Sequence, residues 1–119
     1  MELNMRLDIL KDAGQISQET YDALIRVIEM LKSKWNVELT EENGAMLVTH
    51  LSIALERIKK RELVDGIASE AYKEIKNHCE YEKCKNIFED ITKEAVIEIP
   101  KNEETFIMMH LCALFGTNN

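Results

Sequence analysis

Four side chains in this 119-residue sequence have types and spacings that could do chemistry together. His50 and Arg57 stand seven residues apart in Leu47-Val-Thr-His50-Leu-Ser-Ile-Ala-Leu-Glu-Arg57-Ile-Lys-Lys60, and Glu103 and His110 stand seven apart in Pro100-Lys-Asn-Glu103-Glu-Thr-Phe-Ile-Met-Met-His110-Leu-Cys112. An imidazole is a nucleophile in its own right, able to take a phosphoryl group and carry it on nitrogen. A neighbouring guanidinium could hold the phosphate oxygens bidentately. Other chemistries find less support. There is no motif for a serine or cysteine nucleophile, no pair of carboxylates in a catalytic setting and no glycine-rich phosphate loop. His78, Cys79 and Cys84, with His110 and Cys112, match none of the usual zinc-ligand spacings, so no metal is expected.

Helices must position these groups. At about 100° per residue, Leu47, Leu51, Ala54, Leu55 and Ile58 form one apolar stripe, with His50 and Arg57 together along its edge. The last helix should begin at Pro100 or Asn102 and run to about Phe115-Gly116, with Phe106, Ile107, Ala113 and Leu114 bracketing His110 on the inward face. A seven-residue offset is two turns, or about 10 Å along the axis, within reach of a long arginine but too far for a direct Glu-His bond inside one helix. Contact between Glu103 and His110 would need a water or a residue from a facing helix. Packed together, the two helices would gather His50, Arg57, Glu103 and His110 around one shallow pocket. The competing reading is that each histidine is a core residue whose ring nitrogens are satisfied by its neighbours.

The rest of the chain supplies the scaffold. Leu3, Leu7 and Leu10 predict a first helix from Met1 to about Asp12, closed by Gly14. Ser17 is placed as an N-cap with Ile16 and Tyr21 as a hydrophobic staple, and Tyr21, Leu24, Ile25, Ile28, Leu31 and Trp35 then predict a helix over about 18–34. Thr40 with Glu41 and Glu42 signals the start of the histidine-bearing helix, expected to end near Arg61 to Leu63. Ile67, Ala68, Ala71, Tyr72, Ile75 and Cys79 form the next stripe. After a break near 78–82, Cys84, Ile87, Phe88, Ile91 and Ala95 form another. Residues 96–99 read as a short extended connector before Pro100, and 117–119 as a polar tail. The reading is an all-α fold occupying one domain, residues 1–119.

Composition agrees. Hydrophobic residues at 45%, charged residues at 31% and a single proline suit a globular helical protein. A net charge of −7 repels a phosphate backbone on average, so no direct nucleic-acid binding is expected without a concentrated basic face, and the run Arg57, Lys59, Lys60, Arg61 reads as a solvated helix end. No apolar run is long enough to span a membrane, and no signal peptide is evident, so a cytoplasmic protein without membrane contact is expected. The three cysteines read as reduced, buried small apolar residues.

The segment from Thr49 to Lys60 resembles the first signature of the PTS regulation domain family, an HxxxAxxR-like run carried here by His50, Ala54 and Arg57. The segment from Pro100 to Leu111 resembles the second, a proline, an acidic residue three later, then an apolar turn ending in histidine. Both motifs fall at the family's separation, and the resemblance spans essentially the whole chain. It implies a bundle of about five helices that forms homodimers and is not an enzyme. It also implies phosphoacceptor histidines, here His50 and His110, served by the phosphocarriers HPr or IIB of the sugar phosphotransferase system. Arg57 and Glu103 match the motif's charged positions, with roles in pocket architecture or phosphate contact. Such a module signals sugar availability and takes part in transcriptional regulation of carbohydrate use. Family members usually occur in tandem behind a nucleic-acid-binding effector domain, whereas this sequence carries one copy, so its output is expected to pass through an unknown partner protein. The alternative within the same fold is a dimerising interaction domain that is not phosphorylated.

Overall fold

A computed structural model describes residues 2–62, 64–66 and 68–116. The chain runs through α1 (Leu3–Asp12), α2 (Gln18–Trp35), α3 (Glu41–Lys59), α4 (Ser69–Lys76), α5 (Tyr81–Ala95) and α6 (Lys101–Leu114). The described residues thus form six helices and no strand, one helix more than the family resemblance implied and in agreement with the six apolar patterns of the sequence. The shortest, α4, has a little over two turns. Predicted features at Met1, Leu63, Ile67 and 117–119 lie outside the described residues.

Local signals start the helices where the sequence places them. The Ser17 hydroxyl accepts from Thr20 N–H at the head of α2. At the head of α3, Thr40 and Asn43 form a reciprocal capping box, so a side-chain amide completes the cap while Glu41 and Glu42 supply the charge favoured at a helix N-terminus. Gly14 follows α1 at φ +76°, a conformation natural to glycine. The connector before α6 is not extended at its start: Val96 takes a left-handed φ of 53° as the cap of α5, and Ile99 then turns into the core. Pro100 is the N-cap of α6, where its missing N–H costs nothing.

Helix α2 packs on α3 and α5, α3 and α5 both pack on α6, α1 lies across α2 and α3, and α4 leans on α6. Leu7, Leu24, Leu31, Leu51, Ile87, Ile91, Met108 and Leu111 make up the sealed centre. A Cβ on Gly44 would meet Leu39 side-chain atoms at 3.1 and 3.2 Å and Leu3 at 3.4 Å, so the absence of a side chain there lets α1 approach α3. Cys84 and Cys112 are buried as expected, but Cys79 is exposed because α4 ends at Lys76 and the chain turns outward before α5.

Polar bonds fix the helices in register. Trp35 Nε1 donates to Asp90 at 2.9 Å and Lys34 pairs with the same carboxylate at 3.0 Å, joining α2 to α5. Glu56 of α3 accepts from the Ser17 backbone N–H at 3.2 Å, from the Ser17 hydroxyl at 3.0 Å and from the Thr20 hydroxyl, so it clamps the start of α2. Burial disfavours the Glu56 carboxylate, yet the bonds from Thr20 and Ser17 outweigh it and hold its pKa below the usual 4.5. A carboxyl depressed on folding stabilises the native state above its unfolded pKa, and that contribution is lost as pH falls through its folded value. Glu56→Ala should therefore cost about 1–3 kcal/mol at pH 7. Urea unfolding at pH 7 and at pH 3 should find the deficit large at the first and much reduced at the second.

Candidate functional site

Helices α3 and α6 bring all four residues singled out in the sequence to one place. The rings of His50 and His110 stack with centroids 4.5 Å apart and planes at 19°. Two turns away, Arg57 Nε donates to Glu103 Oε2 at 3.0 Å and Nη2 donates to Oε1 at 2.9 Å. Residue 50 faces 110 while 57 faces 103, so the helices run antiparallel. Equal spacing in reversed order, His then Arg and Glu then His, produces like-with-like stacking at one end and an ion pair at the other.

The two histidines differ in environment. His50 is exposed and His110 half-buried. Neither ring hydrogen-bonds another described residue, and among those residues only the Thr49 hydroxyl is buried without a partner, so the His110 nitrogens are open to solvent. Burial, helped by the charge His50 would carry, pushes the His110 pKa below the usual 6.5. A neutral imidazole with an unengaged nitrogen lone pair is the form that acts as a nucleophile.

The ion pair is asymmetric. Glu103 is only 2% exposed, whereas the Arg57 side chain keeps about a third of its surface in solvent. Glu103 raises the Arg57 pKa through their hydrogen bonds, against the opposing effect of burial. Arg57 is thus engaged across the helix interface and not with His50 on its own helix. Glu103 directs both oxygens at Arg57 and none at His110.

A cavity of about 470 Å³ opens beside these groups. Met46, Leu47, Ala54, Phe106 and Met109 give it an apolar lining, and Asp65 from the loop after α3 adds a carboxylate. Met46 is 62% exposed, which places it on the surface at the mouth. The sequence reading had not singled out Met46, Met109 or Asp65. Met46 stands one helical turn before His50, whereas Met109 is merely the neighbour of His110 and nothing local marks Asp65. Among the described residues no group of three or more His, Cys, Asp or Glu could hold a metal ion.

The sequence profile of the PRD domain family matches residues 8–114. The chain is also similar to the "Uncharacterized protein YhfY" of Escherichia coli (strain K12), 23% identical over 117 residues that cover 98% of each chain. An "Uncharacterized protein" of Haemophilus influenzae (strain ATCC 51907 / DSM 11121 / KW20 / Rd) is 24% identical over 114 residues, covering 96% of this chain and 91% of that one. No solved structure matches.

Two outcomes follow from the geometry. Arg57→Ala strands a buried carboxylate. Breaking a buried pair costs about 3–5 kcal/mol, and partial exposure of Arg57 lowers the expectation to about 2–3 kcal/mol. The double replacement Arg57→Met with Glu103→Leu should recover most of it in chemical denaturation. The second outcome concerns His110. Its lowered pKa means the unfolded chain takes up the proton first, so stability falls as pH drops through 6.5 towards the folded value. Proton NMR titration should place the His110 pKa below 6.5 and move it upward in His50→Ala, which removes both a cover and a like charge.

Proposed function

The chain belongs to the PRD domain family, a family of regulatory domains and not of catalysts, and on that premise we propose that His50 and His110 are phosphoacceptors for a phosphotransferase-system carrier. PRD domains interact with components of that system. The carrier, HPr or a IIB component, presents a phosphohistidine. Its P–N bond breaks as a nitrogen lone pair of His50 or His110 forms a new one, and the phosphoryl group moves from one imidazole to another without an oxidant or a metal. The observation that carries this reading is the stack itself, with one ring at the surface, the other held towards the neutral form and neither tied to a protein partner.

The ion pair beneath supplies a response. A phosphoryl group adds about −1.5 to −2 charge at pH 7 and three strong acceptors. It enters a cavity whose other charged linings are Arg57, Glu103 and Asp65. Arg57 is then drawn between the new anion and Glu103, and any movement towards the phosphate leaves a buried carboxylate short of its counter-charge. The packing of α3 against α6 is the element biased by this competition. The module acts as a homodimer without direct contact to nucleic acid. It reports sugar availability to a separate partner protein and takes part in transcriptional control of carbohydrate use.

A second reading is favoured by the apolar lining and by the prior engagement of Arg57: a dimerising interaction domain that keeps the fold without accepting phosphate. One experiment separates them. Incubation with phosphoenolpyruvate, enzyme I and HPr, or with a phosphorylated IIB, should give acid-labile, base-stable phosphate on the chain. His50→Ala and His110→Ala should each reduce the label and together abolish it. A protein that stays unlabelled by both donors, or that is labelled equally well in the double variant, refutes the phosphoacceptor role.

A further inference from the structure

A second cavity, of about 340 Å³, lies between α4 and the first turn of α6, and it carries more polar and cationic lining than the first. Lys73 and Lys76 of α4 and Lys101 of α6 line it, together with the hydroxyl-bearing Ser69 and the Tyr72 ring. None of the three lysines has an ion-pair partner among the described residues, in a chain with 22 acidic and 15 basic side chains. The two acids in the first turn of α6 are already paired. Glu103 is paired with Arg57, and Glu104 is paired with Lys85. On α4, Ser69, Tyr72, Lys73 and Lys76 share one face; Glu70 and Glu74 border it on the Lys73 side, about 60° and 100° round the helix from Lys73, without pairing with it.

Three like charges around one recess repel each other, and in an acidic protein they could readily have been neutralised from within. The cavity is closed on its loop side by Gly66, where a Cβ would come within 3.0 Å of Asn102 Oδ1 and 3.3 Å of Thr105 Oγ1. Asn102 in turn donates to the Val64 carbonyl at 2.9 Å, which holds that loop against α6. Lysine ammoniums act as point charges that suit phosphate, and three of them meet the roughly two negative charges a phosphate monoester carries better than the single charge of a carboxylate. The volume is at the lower end of small-molecule sites, about 300–1,000 Å³, and exceeds what one inorganic phosphate needs.

We infer that the cavity between α4 and α6 binds a small phosphorylated metabolite, its phosphate held by Lys73, Lys76 and Lys101 and its organic part against Tyr72 and Ser69. The site is separate from the histidines and does not rest on the phosphoacceptor reading. It shares the first turn of α6 with the Arg57–Glu103 pair, which occupies the other side of that turn.

The test is a titration of the isotopically labelled full chain by NMR with pyrophosphate and with ribose 5-phosphate, against sodium chloride at matched ionic strength. Saturable shifts confined to residues 69–76 and 101–105 are expected from both phosphates. The exposed double replacement Lys73→Gln with Lys101→Gln should weaken binding at least tenfold without moving the thermal midpoint. The same titration of His50→Ala with His110→Ala should be unchanged, which keeps this result distinct from any failure of histidine phosphorylation. Shifts that follow ionic strength alone, that spread over lysines elsewhere, or that persist in the lysine double variant overturn the site. Binding of pyrophosphate without ribose 5-phosphate overturns its assignment to a phosphorylated organic molecule.

Discussion

The Arg57 guanidinium meets the Glu103 carboxylate through two parallel hydrogen bonds of 3.0 and 2.9 Å, and the acid is almost wholly withdrawn from water. A buried carboxylate is tolerated only with its charge matched and its lone pairs engaged, so this contact favours the register in which Arg57 faces Glu103. With the register set, residues two turns along each helix must also face each other. The stacked imidazoles are therefore a geometric consequence of the ion pair, and the cavity beside them is the space left between the same two helices.

Elsewhere the bundle uses the same device more modestly. Glu56 ties α3 to the head of α2, and Asp90 ties α5 to the end of α2, each carboxylate accepting from more than one donor. Between them these bonds surround a centre of leucine, isoleucine and methionine that carries the hydrophobic part of the stability, and its interdigitation also narrows the registers the helices can take. Apolar packing and the polar contacts together decide which residues meet.

The two cavities show how charge is distributed in an acidic chain. The one beside the histidines is mostly apolar with a matched ion pair, so a new anion there disturbs an existing balance. The one beside α4 gathers lysines that have no ion-pair partner among the described residues. Both abut the first turn of α6, whose acids are directed to Arg57 on one side and Lys85 on the other.

The amino-acid sequence alone determined the helices, their approximate limits, the Ser17 and Thr40 caps and the four residues of the site, because helical periodicity and capping depend on neighbours within a few positions. That α3 and α6 could gather these four residues around one pocket was legible too, but the antiparallel direction that pairs His50 with His110 and Arg57 with Glu103 came from the structure. Only the tertiary structure decided that Arg57 answers Glu103 and not His50, that Cys79 lies outside, that Val96 closes α5 in a left-handed turn, and that Asp65 and the lysines of α4 line cavities. Each of those depends on which surfaces meet across long separations in the chain. The physical reason is that a side chain's partner is fixed by how charged and apolar faces are buried together, which no local spacing specifies.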